Sequence, residues 1–264
     1  IVLLPVAMVI SHLHSDSGFK SYKTMATILS IDTSGTCCSV ALGIDNTRLL
    51  RRTDTPREHV RLVLPMVDEL LAEAGIKLSA LDAIAFTHGP GSFTGLRIGF
   101  GVVQGLAFGA DLPVIALSSL QVMAQRAMQL ESFTSDSIII PAIDARMGEL
   151  YWGVYKQCNG LASPLAPDAL CPQQGMSLPF FDELTGDTLL IAVGDGWQYQ
   201  PELRRGDDVF APSAIHQDIG PDAEDILTLA FDALQQGQVC AIGNVEPVYL
   251  RNTISWKKRQ RLRS

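Results

Sequence analysis

No two cysteines in the 264-residue sequence have CxxC spacing, and the five present (Cys37, Cys38, Cys158, Cys171 and Cys240) are an odd number. That pattern argues against a disulfide framework or a zinc site and fits a reducing, cytoplasmic setting. Histidines are equally scattered: of His12, His14, His59, His88 and His216 only the first two are close, so no metal-ligand spacing arises. Long apolar runs are missing too. IVLLPVAMVI at 1–10 has the length of a signal-peptide core but no basic segment ahead of it, and it is too short to span a bilayer. Positive charge is also in deficit: 20 Lys and Arg against 28 Asp and Glu leave a formal net charge of -8. An acidic body does not wrap nucleic acid over most of its surface.

What is present is ordinary globular composition, 47% hydrophobic and 18% charged, enough for one large domain or two small ones. An ordered pattern begins at MATILSIDTSG, so Met25 reads as the natural start and residues 1–24 as a foreign leader. TILSI, the turn DTSGT and CCSVALGI predict two strands, with a third near Arg48–Thr53. Thr55, Pro56 and Glu58 then form a capping-box signature for a helix that runs to Gly75 and that Pro65 should kink. LDAIAFT is the next strand, and it delivers the chain to HGPGSFTGLRIG at 88–99.

That glycine-rich turn meets no known chemical template. A Walker loop needs a lysine after its last glycine, and none follows Gly95; a Rossmann turn needs its third glycine one residue earlier. Ser92 with His88 as base lacks the nucleophile elbow and an orienting third group. Ser92 and Thr94 read better as caps of a helix from about Thr94 to Ala110. Gly95, Gly99, Gly101, Gly105 and Gly109 in that helix each cost about 1 kcal/mol relative to alanine, yet all fall within an arc of roughly 160°. Two readings of this bare face stand side by side: burial against the chain's own sheet, or a surface for a partner helix.

LPVIALSS predicts a strand and SLQVMAQRAMQ a helix, after which the order apolar strand, Asp, glycine turn, apolar strand recurs in IIIPAIDARMGELYWGVY. The echo implies two related α/β halves. Cys158 to Leu184 reads as a long irregular connection, TLLIAVGDGWQYQ as a strand into a glycine turn, and Pro221 opens a last helix. Asp32, with Thr33 and Ser34 behind it, is either a turn-stabilising acid or the start of a phosphate loop whose carboxylate serves magnesium; Asp144 holds the equivalent place in the second half. YLRNTISWKKRQRLRS ends the sequence with six cations and no acid, either a solvated basic tail or one that touches a phosphate backbone beside another subunit.

ILSIDTSGTCCSVAL, REHVRLVLPMVDELL, HGPGSFTGLRIGFGVVQGLAFG, IDARMGELYW and EPVYLRN together resemble the TsaB (YeaZ) family, from about Met25 to Lys258. The resemblance implies an α/β fold of the actin-like, sugar-kinase-like ATPase superfamily with two duplicated ribonuclease-H-like lobes. These would be residues 25–117 plus 222–250 and residues 118–221, with 251–264 as the basic tail. It also implies a non-catalytic scaffold that binds a TsaD-type transferase for N6-threonylcarbamoylation of adenosine 37 in tRNAs reading codons that start with A. A TsaE-type ATPase joins the pair, tRNA is met through the complex, and no membrane is involved. A homodimer in isolation is left open. TsaD-type proteins hold metal with an HxxxH pair, but here Val63 stands four residues after His59, so no catalytic or metal residue is expected. Nucleotide-binding candidates are Asp32, Thr33, Ser34 and Asp144; no cofactor is required, with ATP or ADP and magnesium placed at the complex interface. Arg57, His59, Arg61, Gly95, Arg97, Gly101, Gln104, Gly105 and Gly109 are the partner-interface candidates. The alternatives are an active ATPase or small-molecule kinase of this superfamily, and a peptidase.

Overall fold

The computed structural model describes residues 26–55, 58–130, 133–178 and 188–251. The expected leader, Arg57 and the cations at 257–263 lie outside the described residues. The chain first forms β1 (Thr27–Asp32), β2 (Cys38–Ile44), β3 (Thr47–Thr53), α1 (His59–Ala74), β4 (Ala83–Gly89), α2 (Phe93–Ala110) and β5 (Val114–Ser118). Their sheet runs β3-β2-β1-β4-β5, antiparallel across its first three strands and parallel from β1 to β4 to β5. β1 is apolar on both sides because both sides are covered. Leu29 and Ile31 face Val63, Val67 and Leu70 of α1 and Val103 of α2, whereas Ile28 faces the opposite core.

There follow α3 (Ser119–Ala127), β6 (Ile138–Arg146), β7 (Glu149–Trp152), β8 (Tyr155–Cys158), β9 (Leu161–Pro164), β10 (Ala169–Pro172), β11 (Gly175–Ser177), β12 (Leu190–Val193), β13 (Glu202–Arg205), β14 (Asp208–Phe210), β15 (Ala214–His216) and α4 (Ala223–Gln235). The second sheet runs β10-β7-β6-β12-β15. Its directions repeat those of the first: β6–β7 and β7–β10 are antiparallel, β6–β12 and β12–β15 parallel. The ribonuclease-H-like arrangement is therefore present twice in one α/β chain, which is the actin-like organisation that the resemblance implies.

α4, last in the chain, covers the free face of the first sheet, where Ile226, Leu227 and Ala230 pack on Ile28, Ala41 and Ala83. Its N-terminus is fastened to β1 and β2: the Ser30 hydroxyl donates to Ala223 O at 2.6 Å, and Ala223 N donates to Ser39 Oγ at 2.9 Å. Burying Ile28, Ile226 and Leu227 contributes about 1.5–3 kcal/mol each. α3 lies between the sheets, with Leu120, Met123 and Ala127 against Ile139, Ile191 and Val193 of the second, and Val122 in the core beneath α4. Next to it, Ser118 at the end of β5 donates to Asp168 Oδ2 at 2.5 Å and Tyr155 of β8 to Asp168 Oδ1 at 2.6 Å, tying the two sheets together.

Three expectations differ from the structure. Residues 158–184 are not simply irregular, since β9, β10 and β11 lie there; each has four residues or fewer, too few to display a period. The capping box at Thr55 does not form: α1 starts at His59 behind Glu58, which makes no side-chain capping bond. The glycine turn expected after β12 is instead a 3-10 helix at Asp195–Tyr199, whose Trp197 indole donates to Ile140 O at 2.9 Å.

Candidate functional site

Asp32 ends β1 with its carboxylate fully buried. Thr87 of β4 donates its hydroxyl to Oδ1 at 2.5 Å, and Ser34 donates both its hydroxyl (2.7 Å) and its amide (3.2 Å) to the same oxygen. Oδ2 is buried without a hydrogen-bond partner. Burial raises the Asp32 pKa to about 6 against these hydrogen bonds, and nearby Asp222 adds to the rise. A raised folded-state pKa stabilises most below the unfolded value of 3.8, and that contribution is lost as pH climbs through about 6. Relative to Asp32→Asn, the natural chain is therefore expected to lose about 2 kcal/mol of stability between pH 4 and pH 8. Urea melts of both proteins across that range check it, and parallel pH profiles would show that Asp32 is not perturbed.

The turn after Asp32 is filled by its own chain. Thr33 donates its hydroxyl to Gly95 O at 2.8 Å, and Ser92 N donates to Ser34 O at 2.8 Å. A β-carbon at Gly95 would collide with the Thr33 carbonyl oxygen; one at Gly91 would lie 2.6 Å from Ser34 O, and one at Gly99 2.5 Å from Thr33 Oγ1. These glycines exist so that α2 can lie directly on the β1–β2 turn. In the second hairpin Asp144 is likewise engaged: Arg146 pairs with it at 3.0 Å, and Tyr199 donates its hydroxyl at 3.0 Å. Each acid is thus bonded both within its own turn and from a distant element, Thr87 of β4 or Tyr199, and among the described residues no cluster of three or more His, Cys, Asp or Glu could hold a metal. Ser92 is a cap and not a nucleophile: its hydroxyl accepts from Gly95 N at 3.3 Å at the start of α2. His88 has no partner at Nδ1, and burial lowers its pKa.

The glycine face of α2 divides in two, which corrects one expectation. Gly95 belongs with Gly99 in the internal contact just described and is buried, so it does not lie on a docking surface. Gly101, Gly105 and Gly109 are exposed, and a β-carbon on any of them would meet nothing within 4 Å. Gln104 and Phe108, the latter 84% exposed, share this outer face. α1 packs beside α2 and adds Val60 and Leu64, 64% and 45% exposed. Val60, Leu64 and Phe108 are not among the partner-interface candidates read from the sequence; the signal for them is an apolar arc wider than the sheet can cover. α2 is also long and apolar enough to cross a membrane by length and composition, but Leu96, Val103 and Ala107 pack it on the sheet. His59 Nε2 lies 3.2 Å from Thr36 O, and Arg61 pairs with Glu58 at 3.2 Å.

Arg97 turns toward the end of the described chain. Its guanidinium lies 3.8 Å from the Phe93 ring centre, and its Nε donates to the Tyr249 hydroxyl at 3.3 Å. The segment carrying Tyr249 is pinned where Val248 N donates to His88 O at 2.8 Å. Beyond it, Arg251 binds Glu149 and donates to Ala145 O and Arg146 O, both at 3.1 Å.

The chain is similar to known proteins over most of its length. Residues 53–203 match the model of the family described as TsaD, tRNA N6-adenosine threonylcarbamoyltransferase. YeaZ from Pseudomonas aeruginosa, a solved structure, superposes with a TM-score of 0.77 at 40% identity, covering 86% of this chain and all of that one. The tRNA threonylcarbamoyladenosine biosynthesis protein TsaB of Escherichia coli (strain K12) is 40% identical over 232 residues, covering 88% of this chain and 97% of that protein. TsaB of Haemophilus influenzae (strain ATCC 51907 / DSM 11121 / KW20 / Rd) is 38% identical, with 88% and 96% covered. Similar over nearly the whole length of these relatives, the chain belongs to the TsaB family.

Proposed function

We propose that this chain is a non-catalytic subunit in threonylcarbamoyladenosine formation on tRNA, docking onto a TsaD-type transferase through the outer faces of α1 and α2. The observation that carries the reading is the exposed Gly101, Gly105 and Gly109 row flanked by Phe108, Val60 and Leu64. Glycine at three exposed helical positions lowers helix stability by about 1 kcal/mol each, a cost that close approach by another helix offsets. The filled Asp32 turn supports the non-catalytic part. With Thr33 bonded to α2 and Ser34 to its cap Ser92, the nucleotide candidates Thr33, Ser34 and Asp144 and the Oδ1 of Asp32 are already engaged by the chain's own groups. In this reading residues 25–117 plus 222–250 form the docking lobe and 118–221 the second lobe. ATP or ADP with magnesium belongs to the assembled interface, a TsaE-type ATPase joins there, and the whole works in the cytoplasm. Without the transferase the same apolar face accepts a second copy of this chain.

Coexpression with a TsaD-type transferase, followed by size-exclusion chromatography and an assay for modified adenosine 37, tests the proposal. A stable complex with activity only when both chains are present is expected. Calorimetry of this chain alone with magnesium and ATP is expected to show no tight binding; turnover by the lone chain would favour the kinase alternative.

A further inference from the structure

From Val245 to Arg251 the chain belongs to no helix or strand and forms a strap that touches both halves of the molecule. On the first half it lies against the end of β4: Val248 N donates to His88 O at 2.8 Å, and a β-carbon at Gly89 would stand 2.7 Å from Val248 O. One residue on, Tyr249 packs on Phe93 with ring centres 5.4 Å apart and accepts from Arg97 Nε at 3.3 Å. Phe93 and Arg97 open an exposed stripe of α2 that continues through Gly101 and Gln104 to Phe108, all within an arc of about 80°. Two residues beyond Tyr249, Arg251 reaches the second half, donating to Ala145 O and Arg146 O, both at 3.1 Å, and to Glu149 Oε2 at 2.8 Å. That grip falls on the β6–β7 turn, where Arg146 and Met147 hold φ at 64° and 58°, a left-handed backbone that side chains disfavour. Such a turn persists because its surroundings hold it, and without Arg251 on its carbonyls it has a less strained arrangement to relax into.

We propose that this strap couples docking to the second half: a transferase seated on the α2 stripe clamps Tyr249, and Arg251 carries that hold to the β6–β7 turn. The inference rests on the reading of α1 and α2 as the docking face. Tyr249 is 42% and Phe93 49% exposed, so a helix lying along the stripe meets both rings. The two residues from Tyr249 to Arg251 span at most about 7 Å of chain, too little slack to absorb a change at one end without passing it to the other. The strained turn supplies an element with two arrangements, and the two ends of the strap bias the same choice. A strap that merely fastened the chain end would hold the turn equally well with and without the transferase.

Hydrogen–deuterium exchange of the full chain, alone and saturated with a TsaD-type transferase, tests the link. In the natural chain, docking is expected to slow exchange on α2 and also, by about fivefold or more, in the peptide covering residues 145–149, which is no part of the α2 stripe. Tyr249→Ala leaves Arg251 and its bonds in place; it is expected to keep the slowing on α2 and to lose that at 145–149. Arg251→Gln is expected to lose the same response and, because coupling is reciprocal, to bind the transferase more weakly by the same factor. A natural chain protected on α2 but unchanged at 145–149 overturns the proposal, as does either variant that responds there like the natural chain. Exchange of β1 and β4 in each free variant shows whether it is folded, and one folded variant suffices to decide. Failure of the natural chain to assemble with the transferase, or a complex without slowing on α2, refutes the underlying reading and the link with it.

Discussion

Gly105→Leu is expected to raise the thermal stability of the isolated chain and to abolish its coelution with a TsaD-type transferase. The two effects separate because position 105 is exposed on α2, with nothing within 4 Å of where a β-carbon would stand. Replacing glycine by leucine in a helix interior gains about 0.8–1 kcal/mol of helix propensity, which for a domain of this size raises Tm by roughly 2–4 °C. At a contact where two helices approach through glycine, the same isobutyl group fills the space that the partner backbone needs. A loss of at least 100-fold in affinity corresponds to about 2.7 kcal/mol, within the reach of a steric block on rigid backbone. Differential scanning calorimetry and size-exclusion chromatography check the two halves. A folded, stabilised variant that still coelutes would place the docking surface elsewhere.

Gly95→Ala carries the opposite expectation, although it adds less to the same helix. Its methyl, fixed in place by the backbone, would collide with the backbone carbonyl oxygen of Thr33, so neither can move aside by changing rotamer. The shift needed also disturbs the Thr33 hydroxyl bond to Gly95 O and the Ser92 amide bond to Ser34 O. After the small gain in helix propensity, a net loss of about 3 kcal/mol or more is expected, with Tm lowered by roughly 6–12 °C. Thermal unfolding monitored by circular dichroism measures it; a change below about 1 kcal/mol would mean that α2 is not seated on this turn.

These paired substitutions show what was legible in the sequence and what was not. The helix, its Ser92 cap and its run of glycines are all visible in GSFTGLRIGFGVVQGLAFGA, and the arc they share follows from helical geometry. Periodicity alone does not say which part of an arc is covered. That depends on where the β1–β2 turn comes to rest, and only the fold places it under Gly95 and Gly99. The duplication was legible from the repeated Asp and glycine turn, because a strand followed by a tight hairpin leaves a local signature. The short strands β10 and β11 were not, since their pairing is set by the distant partners β7 and β13; β9 pairs with the adjacent β8 across Asn159 and Gly160, a two-residue hairpin signal that the reading of 158–184 as irregular overlooks. Asp32 was identified by its position at a strand end, whereas Thr87, which bonds it from β4, is 55 residues away and carries no motif.

The place of α4 has a consequence for how the chain matures. One face of the first sheet, with Ile28, Ala41, Ala83 and Ala85, is covered by residues 223–235, which a ribosome adds only after the whole second sheet has been made. Throughout that interval the nascent chain carries an apolar sheet face with no cover of its own. The first half therefore completes its fold only at the end of synthesis, after the second, whose cores hold no residue of α4.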